Sequence, residues 1–374
     1  MDRYLGESIP KLGFGLMRLP KLEGETIDIE QVKEMVDLFM AAGFRYFDTA
    51  YGYNNGDSER AARAALVDRY PRDSFYLATK LPAWTAKDRE DAQQMFYTSL
   101  ERTGAGYFDF YLLHNIGKGR LESFDSFEIW DFLAARKAEG LIKHLGFSCH
   151  ASADFLDDVL TKHPEMEFVQ LQINYADWES EGVQSRKCYE VARKHGKPVI
   201  IMEPVKGGTL ADLPAPAAAP LLAVDPEASQ ASWALRFAAS LEGLVTVLSG
   251  MSSVEQMKDN LAMMKSFRPF TDEERAALEQ TRNYLASVPT VPCTGCSYCT
   301  KGCPQQISIP DVFTAYNQWK VYEKLAPAKR FYGFATRNGA KASSCVECGQ
   351  CESVCPQSIH IIDELKNAAG VFDD

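Results

Sequence analysis

The sequence is poor in long apolar runs and in positive charge, and each shortage excludes a class of protein. No uninterrupted apolar stretch in the 374 residues reaches the roughly 18 that a membrane helix needs. The formal net charge is −11. Since no basic stripe is present to neutralise phosphates, a nucleic acid is not expected as a partner. Residues 286–374 hold eight basic and eight acidic residues, so the negative excess lies in the first part of the chain.

The opening residues, MDRYLGESIPK, also lack the basic and then apolar pattern of a signal peptide. Without such a peptide or a membrane segment the chain is expected in the cytoplasm, where thiols stay reduced. Disulfide bonds are therefore not expected among the ten cysteines. Their spacing must serve another chemistry.

Eight of the ten cysteines fall into two copies of one spacing, C-x2-C-x2-C-x3-C-P. A zinc site needs four ligands, which two CxxC pairs supply, and it requires neither three cysteines at successive CxxC spacings nor a closing Cys-Pro. The run is the one that holds [4Fe–4S] clusters in bacterial two-cluster ferredoxins. The sequence therefore predicts two [4Fe–4S] clusters and these ligands: Cys293, Cys296, Cys299, Cys303, Cys345, Cys348, Cys351 and Cys355.

The ferredoxin spacing also predicts how the two runs share their ligands. In two-cluster ferredoxins the fourth cysteine of each run binds the other cluster. We therefore expect Cys355 to complete the cluster of the first run, and Cys303 to complete that of the second. Four isoleucines that follow the runs are expected to shield the clusters from water: Ile307, Ile309, Ile359 and Ile361.

The first 285 residues alternate short apolar runs with amphipathic stretches. Eight such runs begin at Leu12, Tyr46, Phe75, Phe110, His144, Phe168, Val199 and Leu244. Buried strands separated by helices predict an α/β fold, a (β/α)8 TIM barrel of residues 1–285, followed by a small ferredoxin-like iron–sulfur domain of residues 286–374. A doubly wound sheet is the alternative, but no GxGxxG follows the first strand.

Three connecting segments carry local signals. Residues 29–43 have helical apolar spacing and end in Gly43, which suits a helix C-cap. Residues 312–325, between the cysteine runs, have the spacing of an inserted helix. The proline- and alanine-rich residues 211–221 are expected to form an extended connector, and a lid over the cofactor is the alternative.

Polar side chains end several of the predicted strands. Asp48 ends the second strand, Tyr53 follows five residues later, and Lys80 and His114 end the next two strands. The functional site of a barrel lies at the carboxyl ends of its strands. A lone histidine in such a position is more often structural, but four polar residues at one level are hard to explain by packing.

These four residue types form a chemically sensible set. A tyrosine titrates near 10, and a buried ammonium beside it would move its pKa toward neutrality. Burying that lysine would be costly without a carboxylate, which Asp48 supplies. The alternative is an Asp–Lys–Tyr network that only stabilises the strand ends.

The stretches FDTAYGYNNGDSE, DFYLLHN, VQLQINY and SGMSSVEQMKDN resemble the aldo-keto reductase family over roughly residues 9–266. Together with the tail, the chain resembles a subgroup with a C-terminal ferredoxin-like domain. The resemblance implies that Tyr53 is the general acid and base, assisted by Lys80, which Asp48 orients. It implies that His114 hydrogen-bonds the substrate carbonyl.

The same resemblance implies a nicotinamide cofactor, NADPH or NADH. Ser148 and Gln170 match positions that hold the nicotinamide carboxamide, and Asn260 matches one near the adenine. The predicted contacts are Ser148, Gln170, Met202, Gly207, Gly250, Ser253, Gln256 and Asn260. Ser253 and Gln256 are expected to cap a helix that faces a phosphate. Gly207, in the loop after the seventh strand, is expected to allow close approach of the backbone to the pyrophosphate.

Three departures from the family pattern bear on this cofactor. Cys149 replaces an asparagine that contacts the carboxamide in many members, and Met202 replaces an aromatic ring that stacks on the nicotinamide. No basic residue lies between Gly250 and Met257, where NADPH-preferring members often carry cations for the 2′-phosphate. This favours NADH unless Lys206 or Lys258 supplies the charge.

The predicted function is NAD(P)H-dependent interconversion of a carbonyl and an alcohol, with the clusters serving electron transfer or redox control. Besides the small carbonyl or alcohol substrate, a redox partner protein is a candidate partner. The alternative is an iron–sulfur electron-transfer protein that uses the barrel as a docking scaffold. Hydride transfer in the barrel and electron transfer by the clusters are different chemistries, because a nicotinamide moves two electrons as hydride and a cluster moves one.

Overall fold

The computed structural model of the chain describes residues 4–23, 26–337 and 339–373. The chain divides into two compact units, one of residues up to 211 with 228–271, the other of residues 212–227 with those from 272 onward. None of the helices in the described ranges is long and apolar enough to cross a membrane.

The first unit contains a closed barrel of eight parallel strands in sequence order, and β1 pairs with β8 to close it. The predicted (β/α)8 barrel is therefore confirmed. The strands are β1 Leu12–Gly15, β2 Tyr46–Asp48, β3 Tyr76–Leu81, β4 Phe108–Ile116, β5 Ile142–Cys149, β6 Phe168–Gln172, β7 Val199–Met202 and β8 Leu244–Ser249.

The helices follow the strands and continue into the second unit. They are α1 Ile29–Ala41, α2 Asp57–Ala62, α3 Arg89–Thr103, α4 Leu121–Ser126, α5 Ile129–Ala138, α6 Ala153–Lys162, α7 Ser185–Lys194, α8 Ala215–Val224, α9 Gln230–Ala239, α10 Val254–Lys265, α11 Asp272–Ser287, α12 Tyr298–Lys301, α13 Ile309–Tyr322, α14 Leu325–Thr336, α15 Gln350–Ser353 and α16 Ile361–Phe372. Helix α1 ends as predicted, with Gly43 at a φ of 88° just beyond it. Helix α11 spans residue 285, where the sequence places the domain boundary, and that boundary stays a prediction.

One expectation about the connecting segments is wrong. The proline- and alanine-rich segment is not extended but forms α8, with one proline in the first turn, where its missing N–H costs little. The alanines favour a helix, and packing on α11 stabilises it: the Thr281 hydroxyl donates to the Ala217 carbonyl at 2.9 Å. The predicted inserted helix of residues 312–325 is confirmed as α13, which begins three residues earlier and ends at Tyr322, because Glu323 adopts a left-handed φ of 55°.

The barrel interior explains how the fold positions a site. Alternate residues of a strand face the same side. The inner apolar cluster includes Tyr46, Ala78 and Phe110, and two residues further along β2 and β3 the inward positions are Asp48 and Lys80. The inside of the barrel therefore changes from apolar to polar toward the carboxyl ends of its strands.

The second unit has its own apolar core. Residues of α13, α14 and α16 form it, together with residues that flank the cysteine runs. The Tyr332 and Phe372 rings stack at 4.6 Å, and the Tyr332 hydroxyl donates to Asp373 at 2.8 Å. The inserted helices thus supply the apolar surface that a minimal cluster-binding module lacks.

Candidate active site and cluster centre

Lys80 lies at the centre of a polar group at the open end of β2 and β3. Its Nζ donates to the Asp48 carboxylate at 2.5 Å, to the Thr49 carbonyl at 2.8 Å and to the Tyr53 hydroxyl at 3.3 Å. The side chains of Lys80 and Asp48 are 1% and 4% exposed. Burial alone would lower the pKa of Lys80, but the contacts with Asp48 and Tyr53 raise it, so the ammonium is charged at neutral pH.

Tyr53 comes from the turn after β2, which the backbone directs toward Lys80. Asn54 and Asn55 have φ of 49° and 56°, a left-handed conformation that asparagine tolerates well. Burial raises the pKa of Tyr53 above its ordinary value of 10.0, although the nearby Lys80 cation acts to lower it. The net direction is upward, so the hydroxyl keeps its proton at neutral pH and can donate it.

His114 faces Tyr53 from β4. The two rings meet edge-on with centroids 5.7 Å apart. Burial lowers the pKa of His114 well below its ordinary value, and the Lys80 charge acts in the same direction. The imidazole is therefore neutral. Its Nδ1 is buried and makes no hydrogen bond with the described residues.

The predicted carboxamide contacts lie beside this group. The Gln170 amide donates to the second Asp48 oxygen at 3.2 Å, and the Ser148 hydroxyl accepts from the Asn115 backbone N–H at 2.7 Å. Met202, at the end of β7, is half-buried. Cys149 is buried, and burial raises the pKa of its thiol to about 12, so it is an unreactive thiol.

The predicted phosphate-side residues lie after β7 and β8. Gly207 has a φ of 65°, and a Cβ there would lie 3.0 Å from Arg18 Nη2. A Cβ on Gly250 would lie 3.5 Å from the Arg18 side chain. Arg18 therefore runs between the two glycine loops that the sequence assigns to the cofactor.

The predicted cap of α10 is confirmed. The Ser253 hydroxyl accepts from the Gln256 N–H at 3.3 Å, and the Gln256 side chain accepts from the Ser252 N–H at 2.7 Å. Asn260 is buried, and its amide donates to Ser249 at 2.9 Å. Its side chain therefore stabilises the end of β8.

Lys206, one of the two lysines that the sequence offers for a 2′-phosphate, is paired within the barrel. Its Nζ lies 2.6 Å and 2.7 Å from the two oxygens of Asp177. Asp177 is itself held by Asn174 and Gln172 at 2.9 Å and 3.2 Å. The charge of Lys206 is thereby neutralised.

The eight cysteines of the second unit line two cavities of similar size, about 320 and 330 Å³ with the adjoining open space included. One cavity is lined by Cys293, Cys296, Cys299 and Cys355, the other by Cys345, Cys348, Cys351 and Cys303. Each set takes its fourth cysteine from the other run, the same grouping that the spacing predicts.

The surroundings of the cavities suit an inorganic cluster. The four expected isoleucines are buried, and all line one or both cavities: Ile307, Ile309, Ile359 and Ile361. No group of His, Cys, Asp or Glu in the described ranges is arranged to hold a single metal ion. A [4Fe–4S] cluster is a larger group that four cysteines surround, so the residues present fit it better than they fit one zinc ion.

Comparison with known proteins decides the family. Residues 11–283 match the profile of the aldo/keto reductase family. The chain belongs to this family. Residues 292–360 of this family member match a 4Fe-4S dicluster domain, so the barrel is followed by an iron–sulfur domain.

Several relatives are aldo-keto reductases of related bacteria. One from Mycobacterium sp. (strain KMS) is 32% identical over 144 residues, which cover 38% of this chain and 47% of the relative. One from Mycolicibacterium vanbaalenii is 27% identical over 272 residues, which cover 73% of this chain and 88% of the relative. The chain spans about half the length of the Mycobacterium relatives that it matches.

Solved structures share the barrel. An aldo-keto reductase from Bacillus halodurans in its holo form has a TM-score of 0.58 and 24% identity, over 75% of this chain and 95% of that one. One from Klebsiella pneumoniae in complex with NADPH has a TM-score of 0.59 and 21% identity, over 73% of this chain and 90% of that one. At these identities the likeness supports the fold.

The structure adds residues that sequence patterns do not single out. Trp84, in the turn after β3, lies 5.6 Å from the His114 ring, and the Arg120 guanidinium lies 4.6 Å above the Trp84 ring. Glu203, just after β7, has a φ of 54°, and its charge raises the pKa of both Tyr53 and His150. All three residues follow the end of a strand, and this position was the signal in the sequence that could have pointed to them. The residues around them form no motif with a distinctive spacing.

Proposed function

We propose that this member of the aldo/keto reductase family interconverts a carbonyl and an alcohol with NAD(P)H. One observation carries the proposal: a buried ammonium, Lys80, lies between a carboxylate and the hydroxyl of Tyr53. A network that served stability alone would need neither the tyrosine hydroxyl nor the facing neutral histidine.

The four side chains have complementary roles in this proposal. The nicotinamide, when bound, supplies the hydride. Tyr53 holds the proton for the carbonyl oxygen, and His114 donates a hydrogen bond to that oxygen. Lys80 eases the loss of the tyrosine proton by stabilising the phenolate, and Asp48 holds Lys80 in place.

The residues around the site fit a nicotinamide dinucleotide. Ser148 and Gln170 lie beside the tetrad, where they would hold the carboxamide. The Klebsiella pneumoniae structures contain NADPH in one case and NADP in the other. For this chain we propose NADH as the better cofactor, because Lys206 is paired with Asp177 and residues 250–257 carry no cation, which leaves Lys258 as the remaining lysine for a 2′-phosphate.

The test is NADH and NADPH oxidation by the anaerobically purified chain in the presence of small aldehydes and ketones. Turnover with the wild type and its loss by about 100-fold or more in Tyr53→Phe would support the proposal, since general acid catalysis contributes this much. Absence of turnover with any carbonyl, or full activity of Tyr53→Phe, would refute it.

We also propose that the two cysteine sets hold two [4Fe–4S] clusters, which supply single electrons when bound. The grouping of the eight thiols around two apolar cavities supports this. A titration with NADH, followed in the visible spectrum under anaerobic conditions, tests whether the clusters exchange electrons with the cofactor. Bleaching would mean coupling, and an unchanged spectrum would favour a separate redox partner or redox control.

A further inference from the structure

Arg120 lies at the mouth of the barrel, six residues after His114 and in the loop between β4 and α4. Its guanidinium carbon lies over the Trp84 ring, 4.6 Å from the ring centroid, and the Trp84 and His114 ring centroids are 5.6 Å apart. The Arg120 guanidinium, the Trp84 indole and the His114 imidazole therefore lie one after another, from the loop to the histidine that faces Tyr53. A substrate with its carbonyl at Tyr53 would extend along Trp84 toward Arg120.

The charge of Arg120 is not matched by the protein. In the described ranges its guanidinium makes no ion pair and no side-chain hydrogen bond, although the residue is half-buried. Other half-buried arginines of the barrel are matched: Arg72 pairs with Asp109 at 2.7 Å and Arg102 with Glu59 at 3.2 Å. Because desolvating an unpaired cation is costly, the position suits an anion that arrives with the ligand.

The other charges around the mouth are distributed unevenly. Lys80 and Asp48 cancel one another. Arg120 acts on His114 and His150, since its charge helps to lower the pKa of both rings after the larger effect of burial. Glu203, from the β7 side, acts on Tyr53 and His150 in the opposite sense. The mouth is thus positive beside β4 and negative beside β7.

We propose that Arg120 binds a carboxylate of the substrate, so that the natural substrates are small aldehydes or ketones that carry a carboxylate. A guanidinium over the face of an indole still has N–H groups available, and these match the two oxygens of a carboxylate. A phosphate brings about two negative charges, which a single cation opposite Glu203 balances less well. The inference rests on the proposed carbonyl chemistry, because it assigns the substrate of that same site.

The test compares 4-carboxybenzaldehyde with its methyl ester as substrates of the anaerobically purified full chain. We expect the wild type to favour the acid, and Arg120→Gln to reduce the ratio of the two kcat/KM values by about 10- to 100-fold, mainly through KM. Lys118→Gln removes an exposed charge two residues away and should leave the ratio unchanged. Equal use of acid and ester by the wild type, or an unchanged ratio in Arg120→Gln, would overturn the inference.

A binding measurement separates this inference from the proposed function. Isothermal titration with benzoate and with benzamide needs no turnover. Benzoate binding that is lost in Arg120→Gln but kept in Tyr53→Phe would uphold the carboxylate site even if no carbonyl were reduced. Tyr53-dependent reduction of the ester, with no preference for benzoate over benzamide, would uphold the carbonyl chemistry and reject the carboxylate site.

Discussion

The Lys80 ammonium lies 3.3 Å from the Tyr53 hydroxyl and 4.7 Å from the centroid of the tyrosine ring. It is the group in the site that lowers the pKa of Tyr53, while burial and the charges of Asp48 and Glu203 raise it. The balance between these effects sets how readily the tyrosine gives up and recovers its proton.

Removing this ammonium should shift the pH dependence of alcohol oxidation. In that direction Tyr53 must lose its proton, so Lys80→Met should move the rising alkaline limb to higher pH and reduce the rate at pH 8 by about 10-fold or more. Since Lys80→Met leaves Asp48 buried and unpaired, the double variant with Asp48→Asn is the matched control for folding. An alkaline limb that stays at the wild-type pH in both variants would contradict the assigned role of Lys80.

His114 should make the barrel less stable in mild acid. Burial lowers its pKa in the folded state below the ordinary value of 6.5, so the unfolded chain binds a proton that the folded chain does not. The contribution of the neutral His114 to the free energy of unfolding is therefore fully present above pH 6.5. It is lost as the pH falls below 6.5, by about 1.4 kcal/mol per pH unit for one proton. His150 acts in the same direction.

His114→Gln removes this titration while keeping a polar side chain. Urea unfolding of the anaerobic protein at pH 7.5, 6.5 and 5.5 should show a shallower loss of stability in the variant. The half-buried His163 stacks on Trp130, and His163→Gln provides a control for the loss of a histidine at another position. Equal slopes in wild type and His114→Gln would mean that His114 is protonated in the folded state.

Much of the barrel was predictable because the secondary structure that the local sequence favours is also the one that tertiary packing favours. The eight apolar runs are too short for buried helices, and all become strands; Asp48, Lys80 and His114 then meet because parallel strands end at one rim. The grouping of the cysteines followed in the same way from fixed spacing.

Where these preferences conflict, the sequence misled. Prolines 216 and 220 suggested an extended segment, but packing against α11 stabilises a helix there. The break at Glu323 is marked in the sequence by Pro327, since a proline cannot continue a helix across the carbonyl four residues before it. The contact of the Arg120 guanidinium with the Trp84 ring joins two different loops, so no local pattern could reveal it.

Arg18 should contribute to cofactor affinity. Its side chain passes Gly250 and reaches Gly207, the two loops that the sequence assigns to the cofactor's phosphates. If it faces the pyrophosphate, Arg18→Gln should raise KM for NADH and NADPH alike, by about 10-fold, because the loss of one charge-assisted contact is shared by both. A rise confined to NADPH would place Arg18 at the 2′-phosphate and contradict the proposed preference for NADH.

The two cysteine sets predict which pairs of substitutions destroy one cluster and which destroy both. Cys303 lies with Cys348 around one cavity, although Cys303 belongs to the first run; Cys296 lies around the other cavity. If each set holds one [4Fe–4S] cluster, the wild type should contain about eight irons per chain. Each single alanine substitution should then remove about four.

The double substitutions distinguish crossed from uncrossed pairing. Cys303→Ala with Cys348→Ala should still leave about four irons, because both cysteines serve one cluster. Cys303→Ala with Cys296→Ala should leave almost none, although both lie in one run of the sequence. Cys188→Ala, which alters a buried thiol of the barrel, should keep the full iron content. The reverse pattern for the two double variants would mean that each run binds its own cluster and that the grouping around the cavities does not describe the ligands.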